Sequence, residues 1–194
     1  MEKKLSEHGY KVVNESYPST NHDIKTLAED YLPSFIEACP DSSTIHFVTH
    51  SLGGILVRQY LDVHPLEGLG KVIMLAPPNK GSEITDTMKD NVLYKTINGP
   101  AGMELGTDST SVPNTLGPAD FELGIIAGNN TVNPILSTML PNPDDGKVSV
   151  ESTKLEGMSD HIEMSVSHTF ILSDDDVIDQ VLYFLKKGEF KPIN

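Results

Sequence analysis

Ser51 stands where a β-branched, apolar run ends and a helix-like pattern begins: residues 45–60 read IHFVTHSLGGILVRQY. A serine hydroxyl is a weak nucleophile at neutral pH. It needs a base beside it, an acid to orient that base, and backbone N–H groups aimed at the oxyanion formed when it attacks a carbonyl. A strained strand-to-helix turn presents the hydroxyl, and small residues two before and two after it keep strand and helix from colliding. Those positions hold Thr49 and Gly53, with Gly54 next to ease the helix onto the sheet. Thr49 adds bulk where such a turn is tightest. With a strand pattern before it and a helix pattern after it, the nucleophile reading of Ser51 is preferred to an ordinary strand exit.

An acid and a base follow in the chain order this kind of turn requires, Ser then Asp then His. The stretch NPDDGKVSVES places Asp144 and Asp145 on a turn before Gly146, and HIEMSVSHTFIL places His168 just past a strand pattern. Asp145, directly before the glycine, is the choice for orienting His168. Asp144 is its competitor, because Asp-Asp-Gly by itself is a common turn. Among the other histidines, His50 either lines the pocket or packs locally, and His46 lies inside a strand pattern, on a face or in the core. His161 opens a strand and would sit at the wrong end of the sheet. His8, His22 and His64 fall near loops or helix ends with no partner pattern.

These residues need a frame, and the chain has the composition for one. Its 194 residues, 38% hydrophobic and 22% charged, suit a single globular domain with a full core. Acidic residues outnumber basic ones 28 to 14, for a formal charge of −14, which argues against nucleic acid as a partner. The one arginine, Arg58, leaves no bidentate phosphate-binding cluster, and the one cysteine, Cys39, leaves no intrachain disulfide. No Cys/His spacing suggests a metal site, and no organic cofactor is implied. No apolar run approaches membrane-spanning length, and MEKKLSEHGY lacks the apolar stretch of a signal peptide, so a cytoplasmic location is expected.

Periodicity alternates strands with helices. Strand patterns cover Tyr10–Asn14, Thr44–Thr49, Lys71–Leu75, Phe121–Ala127 and His161–Val166. Ile24, Leu27, Ala28, Tyr31, Phe35 and Ile36 share a helical face capped by Asn21 or Asp23, with Pro33 expected to kink it. Further helices are expected from about Leu52 to Val63, stopped by Pro65, and from Asp174 to Lys187, with acids at the start and lysines at the end. The implied fold is α/β, a mostly parallel sheet covered on both faces. Residues 77–120, rich in Pro, Gly, Ser, Thr and Asn, read as an inserted segment covering the C-terminal ends of the strands, with a short helix around Glu83–Tyr94.

Three stretches together resemble the α/β-hydrolase family, small bacterial esterases and lipases and, more distantly, lipase-like hydrolases that include GPI-inositol deacylases. They are THSLGG after a strand, VIMLAPPNKGSE on the next strand and its exit, and DDGKVSVES followed by SHTFIL. The resemblance implies a three-layer sandwich, Ser51 as nucleophile, His168 as general base and acid, and Asp145 as the orienting acid. It also implies the Leu52 N–H as one oxyanion donor and a substrate cleft bordered by Pro77, Pro78 and Asn79. In that family an earlier strand ends in a His-Gly loop that gives the second donor. Here the sequence opens with EKKLSEHGYKVVNESYPST, which resembles the helix after that loop and the strand that follows, and His8-Gly9 is not counted as the loop. The sheet is therefore N-terminally shortened. Either YKVVN pairs directly with TIHFVT, bringing the N–H of Tyr17, Ser19 or Thr20 (Pro18 has none) toward Ser51, or another chain covers the edge as a homo-oligomer.

The resulting expectation is a carboxylesterase acting on short-chain esters through an acyl-enzyme, since no strongly apolar lid helix is evident. Lipase, thioesterase or acyltransferase chemistry could use the same residues. The rival expectation is a non-catalytic remnant serving in binding or assembly.

Overall fold

The computed structural model describes residues 1–40, 44–132 and 134–192. In chain order the elements are α1 (Glu2–Glu7), α2 (Ile24–Glu37), β1 (Ile45–His50), α3 (Leu52–Val63), β2 (Leu69–Leu75), α4 (Glu83–Met88) and α5 (Val92–Met103). They continue with α6 (Val112–Thr115), β3 (Leu123–Gly128), α7 (Pro134–Ser137), α8 (Val150–Thr153), β4 (Asp160–Met164) and α9 (Asp175–Lys187). The four strands form one all-parallel sheet in the order β1-β2-β3-β4. Parallel strands need crossovers, and here those are α3 and the long connections that carry the short helices.

Alternation along each strand divides the core in two. Val72 and Met74 on β2, with Leu123 and Ile125 on β3, face a cluster containing Ile24 and Leu27 of α2 and Ile55 and Leu56 of α3. Ile73, Leu75 and Ile126 face the other way, toward Val177, Val181 and Phe184 of α9 and Leu5 of α1. That makes three layers, as expected. Gly124 leaves room for the Phe184 ring against β3, since a Cβ there would stand 2.6 Å from it.

The helix ends follow from local chemistry. The Asp23 side chain accepts the Thr26 N–H at 2.7 Å to start α2, which then runs through Pro33 to Glu37. Asp174 caps α9 by accepting the Val177 N–H at 3.0 Å, and Gly188 ends it in the left-handed region at φ 78°. The segment 77–120 holds α4, α5 and α6, with α5 bent where Gly99 takes φ 64° ahead of Pro100.

One expected strand is not there. Residues 10–14 join no ladder. Tyr10 and Val12 alternate because they pack on the core from one side, Tyr10 edge-on to His46 with centroids 6.1 Å apart. Packing on one face imitates the period of a strand without its hydrogen bonds. Ser51 N–H donates to Leu75 O, so by ladder alternation the backbones of Val48 and His50 point away from β2. That outer edge of β1 has no partner strand among the described residues, and every β1 residue is half-buried.

Candidate active site

Ser51 occupies the turn between β1 and α3 with φ 53° and ψ −124°, a backbone region that costs a non-glycine residue on the order of 1–3 kcal/mol. Its strand neighbour is strained too, since Ala76 at the exit of β2 has φ 48°. The two lie side by side, tied by Ser51 N–H to Leu75 O at 2.9 Å. Thr49 is accommodated without crowding: a Cβ on Gly53 would still be 3.6 Å from the Thr49 Cβ. Gly54 is the tighter position, where a Cβ would meet the Met74 sulfur at 3.1 Å and Pro77 at 3.2 Å. As a first-turn residue of α3, Leu52 has an N–H with no acceptor inside the helix.

His168 follows β4 and is held twice by one residue. Its Nδ1–H donates to Asp145 Oδ2 at 2.7 Å, and its backbone N–H donates to Asp145 O at 3.0 Å. Asp145 is 2% exposed, and its other oxygen, Oδ1, accepts the N–H groups of Lys147 at 2.9 Å and Val148 at 2.8 Å. Three donors therefore fix one carboxylate. Asp144 has other work: it accepts the Gly146 N–H at 2.7 Å and the Ser137 hydroxyl at 2.6 Å. Between the two aspartates of the turn, the structure sets Asp145 against the histidine.

His50 brings the two halves of the site together. Its ring lies 4.6 Å from that of His168, tilted by 45°, so the histidine sits beside the turn that carries Ser51. Burial, with His168 and Lys147 acting in the same direction, pushes His50 down to about 4, against the pull of Asp145 and the His168 carbonyl. Its Nε2 is buried without a hydrogen-bond partner. Among the described residues no hydrogen bond joins the Ser51 hydroxyl to His168, a contact that in unliganded sites of this type is often long and tightens with substrate.

Pro77, Pro78 and Asn79 are all buried. Asn79 donates to Thr153 O at 2.8 Å, and its carbonyl and side-chain oxygens both accept from Arg58 at 3.2 Å. These bonds brace the loop. Arg58 also donates to the carbonyls of Pro113, Leu116 and Gly117, tying α3 to the segment 77–120. Its hydrogen-bond acceptors are all neutral, and burial pulls it down to about 10 against the opposing charge of Asp62. Its part in holding the site is signalled in the sequence only by its being the sole arginine. Gly128, at the end of β3, also escaped sequence reasoning; a Cβ there would stand 2.8 Å from Asp145 Cβ and 2.4 Å from Val166 O, so only glycine lets the acid approach.

His46 and His161 are occupied elsewhere. His46 accepts the Lys71 N–H at 2.8 Å, filling the irregularity in the β1–β2 register, and His161 shares a hydrogen bond with Thr153 at 2.9 Å. The Ser19 N–H is spent on Tyr17 O at 2.9 Å, which removes it from the candidate second oxyanion donors. Among the described residues no group of three or more His, Cys, Asp or Glu side chains could hold a metal ion, and no helix is long and apolar enough to cross a membrane.

Comparison of the folds places this architecture. The chain matches the mature form of the lipase BlEst2 of Bacillus licheniformis with a TM-score of 0.68 at 18% identity, over 94% of this chain and 82% of that one. The phospholipase PlaB of Legionella pneumophila matches with a TM-score of 0.68 at 16% identity, over 96% of this chain and 55% of that one. A metagenomic carboxyl esterase matches with a TM-score of 0.66 at 18% identity, over 87% and 57%. No family model matches the sequence, and no curated protein is similar to it. The chain has the α/β-hydrolase fold, and it spans little more than half the length of two of these three neighbours.

Proposed function

We propose that the chain is a serine hydrolase that cleaves short-chain carboxylic esters. The observation that carries this reading is the strained Ser51 turn lying beside a histidine whose Nδ1–H is bonded to a buried aspartate at 2.7 Å. His168 takes the hydroxyl proton as Ser51 Oγ attacks the ester carbonyl, and the Leu52 N–H receives the developing oxyanion. The C–O bond to the alcohol breaks, with His168 returning the proton to the leaving oxygen. Water then attacks the acyl-enzyme, giving its proton to His168, which passes it to Ser51 Oγ as the acyl–oxygen bond breaks and the acid leaves. The esterase and lipase names of the structural neighbours agree with this class of chemistry.

Two features of the surroundings refine the reading. A site with one oxyanion donor loses about 10²–10³ in turnover; since residues 10–14 do not pair with β1, the route that would bring Tyr17 or Thr20 toward Ser51 is not formed. On α5, Val92, Leu93 and Ile97 are 78%, 68% and 61% exposed, a group of apolar side chains on the surface of the inserted segment. Hydrolysis of p-nitrophenyl acetate, butyrate and octanoate by the wild type and Ser51→Ala tests the proposal. Rates above the Ser51→Ala background are expected, and equal rates in both proteins reject it.

The open edge of β1 favours a second reading, a domain used in assembly. Two copies can satisfy that edge by antiparallel pairing about a twofold axis, and we assign the homo-oligomer to this edge. A dimer mass by light scattering, reduced to the monomer by Val48→Pro, is the expected result.

A further inference from the structure

We propose that His50 is a positioning residue of the hydrolytic reaction, its ring forming the wall that holds the imidazole of His168 facing Ser51. The proposal rests on the reading of Ser51 as nucleophile and His168 as base. Hydrogen bonds fix His168 only along one edge, through Nδ1 and the backbone N–H, both to Asp145. An imidazole tethered at one ring nitrogen can still rock about that bond. A second ring packed beside it, with centroids 4.6 Å apart and planes inclined by 45°, restricts that freedom.

Three further observations point the same way. His50 is the last residue of β1 and pairs with Leu75, so the wall stands on a rigid strand and moves with Ser51, its immediate neighbour. Its Nε2 is buried with no partner, a cost that an apolar side chain would avoid. A polar atom kept at a loss marks a position held for something other than stability. The charged and titratable groups that act on the ring are His168, Asp145 and Lys147. In these surroundings His50 stays uncharged at neutral pH, so it does not repel the imidazolium that forms on His168 when the proton leaves Ser51.

The test compares His50→Ala, which removes the wall, with His50→Phe, which restores a ring of similar outline, alongside Ser51→Ala and His168→Ala. We expect His50→Ala to lose about 10²-fold in kcat with KM within threefold, and His50→Phe to regain most of it with an unchanged acid limb in kcat/KM. The downfield proton resonance of His168 Nδ1–H should broaden in His50→Ala and stay sharp in the wild type and His50→Phe. Wild-type kcat and a sharp resonance in His50→Ala, while Ser51→Ala and His168→Ala are inactive, would overturn the role of His50 alone. So would a folded His50→Phe as slow as His50→Ala. Full activity in Ser51→Ala would remove the underlying reading and this proposal with it.

Discussion

Asp144 and Asp145 are chain neighbours with the same chemistry, and their surroundings separate them. Asp145 holds His168 and two backbone N–H groups, whereas Asp144 closes a turn and binds the Ser137 hydroxyl. Asp145→Asn should therefore cost about 10³–10⁴ in kcat, since an amide in that place favours the wrong tautomer of the base. Asp144→Asn should stay within tenfold of wild type; steady-state kinetics of the two variants separates the roles. His50 gives a prediction of its own. Folding lowers it from an ordinary histidine value near 6.5 to about 4, so between those values the unfolded chain binds a proton that the folded one refuses. Stability therefore falls as pH drops from 6.5 toward 4, by up to about 3 kcal/mol from this residue. Urea unfolding at pH 7 and pH 4.5 should show a smaller loss in His50→Phe than in the wild type.

At the scale of elements, α3 has Ser51 at its start and Arg58 two turns on. Arg58 spans from Asn79 to Pro113, Leu116 and Gly117, so one side chain joins the helix, the exit loop of β2 and the segment above it. Arg58→Leu should destabilise by about 3–5 kcal/mol, because it leaves several buried carbonyls unpaired at once. Arg58→Lys should recover only part of that, since a single ammonium cannot span the same fork; urea midpoints decide between them. Those contacts join residues up to 59 apart in sequence, and no local pattern announces them. What could be read from sequence was local: the caps and charges of α9, the strand-turn-helix around Ser51, and the Asp-Asp-Gly turn. The strand expected at Tyr10–Asn14 failed for the same reason. Its alternation of Tyr10 and Val12 reports one-sided packing, and the partner that would have made it a strand lies outside any window of neighbouring residues.

In the whole molecule, three layers place the ends of β1, β3 and β4 on one side, where Ser51, Asp145 and His168 converge although 117 positions separate the serine from the histidine. A parallel sheet does this by construction, because every strand leaves by the same edge. The order of the three residues along the chain was therefore readable, and the Asp145–His168 bond came from tertiary structure. The formal charge of −14 should keep the molecule off polyanions. The central claim is that Ser51 is an activated nucleophile, and covalent capture tests it most directly. Intact-mass measurement after incubation with a fluorophosphonate should show one adduct per chain, mapped to Ser51 and lost in both Ser51→Ala and His168→Ala. A folded wild-type protein that takes no adduct, or an adduct that persists in Ser51→Ala, would contradict it.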